Sequence, residues 1–175
     1  DVTLRNLLIL GFERPFNHGV ADLARVRIEY VAYDCTNGPR IENCFDIQHL
    51  NFCHGYPYTT AGRGFTDATI TRSGTGYHYA TAVDWAKGLN AFAFGWSVGF
   101  DLDSVDNGTM IGCGADFPAG LASTSIGFRI RNGSLDSVLL ACQAAAQGTG
   151  FRLDPGIPAT AGHHVKLIAP STWGT

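Results

Sequence analysis

The sequence predicts an all-β fold, an antiparallel β-sandwich of the jelly-roll kind with little helix. Three observations carry that reading. Clusters of Gly, Pro, Asn and Ser punctuate the chain at short intervals, and the runs between them alternate large and small or polar residues with a period of two. Glycine supplies 22 of the 175 residues and only 15% are charged, against about 7% and 25% in ordinary soluble domains. The hydrophobic fraction of 45% is enough, at this length, for one buried core. A single domain over residues 1–175 follows, and no internal repeat, low-complexity tract or linker is expected.

The elements are expected in the following order. Thr3 to Phe12 reads as a buried strand and Val20 to Ala24 as a short helical turn. In Ala24 to Tyr33, Val26, Ile28 and Tyr30 alternate with Arg25, Arg27 and Glu29, as a half-buried strand requires. Cys44 to Phe52, Asp67 to Arg72 and Tyr77 to Trp85 read as further strands, and Val83 to Gly88 as a second helical turn. The clearest strand is Phe92 to Leu102, with Phe92, Phe94, Trp96, Val98, Phe100 and Leu102 on one face and only Ala93, Gly95, Ser97, Gly99 and Asp101 on the other. Thr109 to Cys113 follows. Ser125 to Cys142 reads as a hairpin, because Asn132-Gly133 is the pair most favoured in a type I′ turn. That turn would set Ile130 opposite Leu135 and pair Arg129 with Asp136 on the outer face. Gly150 to Leu153 and His164 to Ala169 complete the set.

The strand ending in Ala93-Phe94-Gly95-Trp96-Ser97-Val98-Gly99-Phe100, the run Thr109-Met110-Ile111-Gly112, the hairpin at Ile126 to Gly133 and the late run Gly162 to Leu167 resemble the concanavalin A-like and laminin G-like jelly rolls over residues 77–169. The resemblance implies one more strand after the last. Only six residues follow Ala169, so Thr3 to Phe12 is expected to pair near His164 to Ala169, within the chain or by exchange between neighbours.

Composition bounds the function. A formal charge of −3 with scattered basic residues gives no footprint for nucleic acid, and the central uncharged run, Gly88 to Phe100, is shorter than the roughly 20 residues of a membrane helix. Five cysteines stand at 35, 44, 53, 113 and 142 without a CxxC pair, which argues against metal–thiolate chemistry. Cys35 and Cys44 bracket a turn-rich segment and are the pair expected to form a disulfide in an oxidising compartment; the alternative is five small buried hydrophobes. Asn107-Gly108-Thr109 and Asn132-Gly133-Ser134 match glycosylation sites and are equally ordinary turn sequences. The chain opens at Asp1 without a signal-peptide pattern, and its polar, weakly charged surface points to an extracellular or particle-surface setting, secreted or on a virion.

Candidate sites are few. Tyr56, Tyr58 and Trp173 suit sugar stacking, since a flat ring covers the apolar face of a pyranose; the competing reading is that the tyrosines cover an end of the fold. Asp101, Asp103, Asp106 and Asn107 form D-x-D-x-x-D-N-G, a composition able to supply oxygen ligands to Ca²⁺, with a plain acidic turn as its alternative. His49, Cys53 and His54 do not share one strand face, and neither do His163 and His164. No glutamate follows residue 42, so the carboxylate pair of a glycosidase has little support. The leading expectation is a non-catalytic module for carbohydrate binding or adhesion, with a glycan or other copies of itself as partner. The alternative is a structural subunit of a virion, fibre or extracellular filament, homo-oligomeric through its strand edges, and a glycan-active enzyme is third.

Overall fold

The computed structural model describes residues 1–18, 24–58, 72–118, 124–132, 134, 136–145, 148–154 and 164–173. Among them every regular element is a strand, and every strand pairing is parallel. The chain winds as a β-solenoid of about six turns rather than as an antiparallel sandwich, which replaces the jelly-roll reading and the resemblance that went with it. Each of six coils contributes one rung to each of three faces, and the last described residues add a seventh rung to faces 1 and 2. Face 1 stacks the first halves of Val2–Leu10 and Val26–Asp34, then Gln48–Asn51, Ala86–Leu89, Thr109–Ile111, Val138–Leu140 and Lys166–Ile168. Face 2 stacks the second halves of the same two strands, then His54–Gly55, Phe92–Phe94, Gly114–Asp116, Gln143–Ala145 and Ser171–Thr172. Face 3 stacks Asn17–His18, Arg40–Cys44, Thr75–Asp84, Val98–Asp103, Ile126–Arg131 and Thr149–Leu153.

In-register parallel pairing puts each inward side chain directly above its equivalent in the next coil, so the core is a set of columns. Leu4, Ile28, Leu50, Gly88, Met110, Leu139 and Leu167 form one column on face 1. Gly88 interrupts it because Met110 fills the space: a Cβ at Gly88 would stand 2.4 Å from the Met110 Sδ. On face 3, Tyr77, Phe100, Phe128 and Phe151 stack with ring centroids 4.7, 4.8 and 5.1 Å apart. Each such pair adds about 0.5–1.5 kcal/mol to what burial of the rings contributes. One residue before each ring stands Gly76, Gly99, Gly127 or Gly150, packed where face 2 presents Ala93, Ala115, Ala144 and Thr172. A Cβ at Gly99 would lie 2.4 Å from the Ala115 Cβ and 2.7 Å from the Gly127 carbonyl oxygen, and one at Gly127 would lie 2.5 Å from the Ala144 Cβ. Faces 2 and 3 approach this closely only because the column is glycine.

The corner between faces 1 and 2 has the same length in every coil. A residue with left-handed backbone makes it each time: Asn6, Tyr30, Phe52, Asn90, Gly112, Ala141 and Ala169, with φ between 48° and 61°. Coil length varies elsewhere. Val26 pairs Gln48 and Lys87 pairs Thr109, 22 positions on, whereas Gln48 pairs Ala86, 38 positions on, and Thr109 pairs Val138, 29 on. The extra length therefore falls outside faces 1 and 2 and the corner between them, part of it in face 3 itself, where Thr75–Asp84 has 10 residues against 5 in Arg40–Cys44.

Several local expectations change with the topology. Phe92 to Leu102 is not one strand, since the chain turns at Gly95 (φ 96°) and the buried Trp96. Before the turn Ala93 points inward and Phe92 and Phe94 outward; after it Phe100 and Leu102 point inward. Ile126–Arg131 is flanked by parallel strands on both sides, so there is no hairpin register; Asn132 has the expected positive φ (52°) but turns a corner, and Gly133 and Leu135 lie outside the described residues. The segment expected as helical over 83–88 is strand, with a left-handed corner at Trp85, while residues 67–71 and 20–23 lie outside the described residues. Val2–Leu10 pairs with Val26–Asp34 and Lys166–Ile168 with Val138–Leu140, so the N-terminal strand and the last strand sit at opposite ends of the stack and do not meet. The expected Cys35–Cys44 disulfide is absent: all five thiols are free and buried. Arg40–Cys44 is an extended strand that holds the two thiols at different corners of one coil, where their Sγ atoms face the Ile9 and Ala24 carbonyls instead.

The glycine column gives a direct test. Gly127→Ala is expected to destabilise the fold by about 2 kcal/mol or more, because backbone and a neighbouring methyl must both shift, whereas Gly11→Ala, with nothing within 4 Å of its Cβ, loses only about 1 kcal/mol from its positive φ (80°). Urea unfolding midpoints of the two variants measure the difference.

Candidate functional site

Outside the core the alternation leaves two outward columns on face 2. One runs His54, Phe92, Gly114, Gln143, Ser171 and the other Tyr56, Phe94, Asp116, Ala145, Trp173. Phe92 and Trp173 bound a groove of about 160 Å³ whose floor is Gly112 and Gly114 and whose polar groups are the amides of Asn90 and Gln143. The two glycines make room for the groove's own side chains: Phe92 leans over Gly114, where a Cβ would stand 2.9 Å from the ring, and the Asn90 amide oxygen lies 2.5 Å from where a Cβ at Gly112 would be. Trp173 is 55% exposed. Rungs are about 4.8 Å apart, so Phe92 and Trp173, three coils apart, frame a slot about 14 Å long.

Next to the groove lies an aromatic platform. His54 stacks on Tyr56 at 5.3 Å and contacts Phe92 at 5.3 Å, Tyr56 contacts Phe94 at 5.6 Å, and Tyr58 contacts both His54 and Tyr56 at 5.6 Å. The Tyr58 hydroxyl lies 2.5 Å from His54 Nδ1 and fixes the imidazole. Burial pushes His54 below the ordinary imidazole value, so the ring is neutral at neutral pH.

Face 3 carries the charge. Asp101 is 1% exposed although it points outward, because two guanidiniums cover it. Arg129 donates Nε to Oδ1 at 2.9 Å and Nη2 to Oδ2 at 2.7 Å, and Arg131 makes the same pair of bonds at 3.0 and 2.9 Å. Burial alone would raise this carboxyl, but the two arginines outweigh it and hold Asp101 below the usual carboxylate value. His78 Nε2 lies 3.5 Å from Asp101 Oδ2, and burial lowers the imidazole despite that neighbour. Arg131 also reaches Asp103 at 2.9 Å, Arg40 pairs with Glu42 at 2.5 Å, and Arg152 pairs with Asp154. This is a ladder of ion pairs rather than an open charged cleft, in which Arg40 Nε and His78 Nε2 are buried without a hydrogen-bond partner.

No family model, curated protein or solved structure matches this chain. The site therefore rests on its own geometry.

That geometry distributes the sequence candidates as follows. Tyr56 and Tyr58 form one platform with His54, and Trp173 lies on the same face, at the far end of the groove. Asp101 and Asp103 share Arg131, Asp106 is exposed, and the Asn107 amide turns away to donate to Asp84 Oδ1 at 3.0 Å. Among the described residues no three His, Cys, Asp or Glu side chains gather in a metal-binding group. His49 and His54 stand on different faces of the solenoid, and Cys53 is inside. Arg129, expected opposite Asp136, pairs with Asp101, and Asp136 Oδ1 accepts from the His164 backbone N–H at 3.2 Å. Asn90, Phe92, Gly112, Gly114 and Gln143 are the site residues that sequence reading missed. Their signal was the recurrence of the corner, which brings residues 22 to 29 positions apart into contact.

The buried groups predict a pH dependence of stability. His54 and His78 have folded values below the ordinary imidazole value of about 6.5, so the stability they contribute is complete above that pH and is lost as pH falls through the lowered values. Asp101, also lowered, adds a second loss below the ordinary carboxylate range. Melting temperature is expected to drop from pH 7 to pH 5, and less so in a His78→Asn variant.

Proposed function

We propose that this chain is a non-catalytic β-solenoid module, displayed outside a cell or on a particle, that holds a neutral glycan in the groove on face 2. The observation that carries the reading is the groove itself: an aromatic ring at each end and two amide side chains as its polar groups. Rings cover the apolar faces of pyranoses, and amides bond their hydroxyls. The uncharged lining favours a neutral ligand. A hydrolytic role has less support, because the general acid of such an enzyme needs a raised carboxyl and the buried Asp101 is lowered instead.

A structural subunit of a virion, fibre or extracellular filament is the second reading. It is favoured by an outward apolar column on face 1, Leu89, Ile111, Leu140 and Ile168, in which Ile111 is 38% and Ile168 46% exposed. No helix among the described residues is long and apolar enough to cross a membrane.

The test is an array of immobilised neutral oligosaccharides, followed by titration calorimetry on the sugars retained. Trp173→Ala and Phe92→Ala are each expected to weaken binding about tenfold, near 1.4 kcal/mol. The melting temperature of Trp173→Ala should stay close to that of the parent, since this ring is mostly outside the core. An array with no retained sugar, or retention equal in the two variants and the parent, overturns the glycan reading.

A further inference from the structure

Resting on the glycan reading above, we infer that the ligand is a linear neutral glycan lying along the solenoid axis, and that the His54, Tyr56 and Tyr58 platform is the extension of the groove that reads its length. The platform and the groove are continuous. His54 and Phe92 occupy one outward column in consecutive coils and their rings are in contact at 5.3 Å, while Phe92 is itself the end wall of the groove. Rings therefore stand at both ends of one face, in the adjoining coils of His54 and Phe92 and in the coil of Trp173, with Gly114 and Gln143 between them, a span of four rung steps, or about 19 Å.

Two features fix the direction and class of the ligand. The rung spacing of about 4.8 Å is close to the length of one pyranose unit, so a chain laid across the rungs meets an equivalent position with each added sugar. A chain laid along the rungs would run off face 2 at once, because its strands are only two or three residues long after the second coil. Of the ten outward positions in the two columns the one formal charge is Asp116, whose Oδ1 already accepts from the Phe117 backbone N–H at 2.7 Å. A carboxylated or sulfated glycan would meet that negative charge with no cation in line to balance it. The imidazole of His54 is neutral at neutral pH and tied to the Tyr58 hydroxyl, which makes it a flat stacking surface there rather than a charge.

The platform is already assembled. Four ring contacts and the Tyr58 to His54 bond hold it in place, so a glycan that reaches it orders no further side chain. Sugars beyond the third should thus each strengthen binding, until the platform is covered.

The experiment uses the whole chain and linear gluco-, manno-, galacto- and N-acetylglucosamine oligosaccharides of two to eight units, measured by calorimetry. Within any series that binds, affinity is expected to rise roughly threefold to tenfold per unit up to four or five units and then level off. Tyr58→Ala and Tyr56→Ala, checked for unchanged thermal unfolding, are expected to bring the plateau back to about three units, and Trp85→Ala, at a different corner, to leave the length profile as it was. Equal affinity for two and eight units, or a plateau unmoved in both tyrosine variants, overturns the axial inference while the glycan reading stands. Silence in all four series at every length removes both; with sulfated galacto-oligosaccharides of the same lengths as a fifth series, binding there but not in the neutral series removes the assignment of ligand class.

Discussion

One constraint governs the molecule: in-register parallel pairing places every residue directly above and below its own equivalents. An inward position must then suit not one neighbour but a column, and the columns found are those with self-complementary shapes, namely stacked rings at 77, 100, 128 and 151, aliphatic chains on face 1, and small residues where faces 2 and 3 converge. Tyr33 and Trp96 close the gap at that convergence by donating to the carbonyls of Gly76 (2.6 Å) and Thr36 (3.1 Å), so the buried polar atoms of the two largest side chains there have partners. The free thiols belong to the same logic. Cys53, Cys113 and Cys142 follow the left-handed corner residue in their coils and fill the narrow interior as compact hydrophobes.

The constraint falls on the inside only, and that is what leaves room for a site. Outward positions are free to vary from coil to coil, so a phenylalanine in one rung can be followed by glycine in the next and a glutamine after it. A groove needs no loop or domain interface here; it is a place where a column lacks side chains. Face 3 solves a different problem, since its outward strand residues are charged and long and cover one another as ion pairs. Removing Asp101 would leave two guanidiniums facing each other, which makes it a keystone of that surface rather than a reactive group.

Much of the strand content was legible in the sequence. Val26, Ile28, Arg27 and Glu29 alternate as read, and Val2–Leu10, Thr109–Ile111, Thr149–Leu153 and Lys166–Ile168 fall inside or close to the expected runs. The pairing was not legible from alternation, because a period of two is common to parallel and antiparallel strands. The deciding signal was the recurrence Gly76-Tyr77, Gly99-Phe100, Gly127-Phe128 and Gly150-Phe151, each followed by a polar and then a large apolar residue. It escapes a search for repeats since coil lengths differ, and the pair Asn132-Gly133 suggests a hairpin by the same positive φ that a solenoid corner uses. Of the site, the aromatic residues Tyr56, Tyr58 and Trp173 were visible by chemistry. Their relation to Phe92, Asn90 and Gln143 was not, as it exists only once coils are stacked.

The seven left-handed corners between faces 1 and 2 are not equally at ease. Asparagine and glycine tolerate that backbone, and Tyr30 and Phe52 compensate by stacking at 5.1 Å with their planes 5° apart. Ala141 and Ala169 have neither recourse, and an ordinary L-residue held there costs roughly 1–2 kcal/mol. The last two coils therefore carry unrelieved torsional strain at positions where asparagine or glycine can be substituted without altering a large core side chain. Relieving it makes that end of the solenoid a ready point of entry for engineering a more heat-resistant chain.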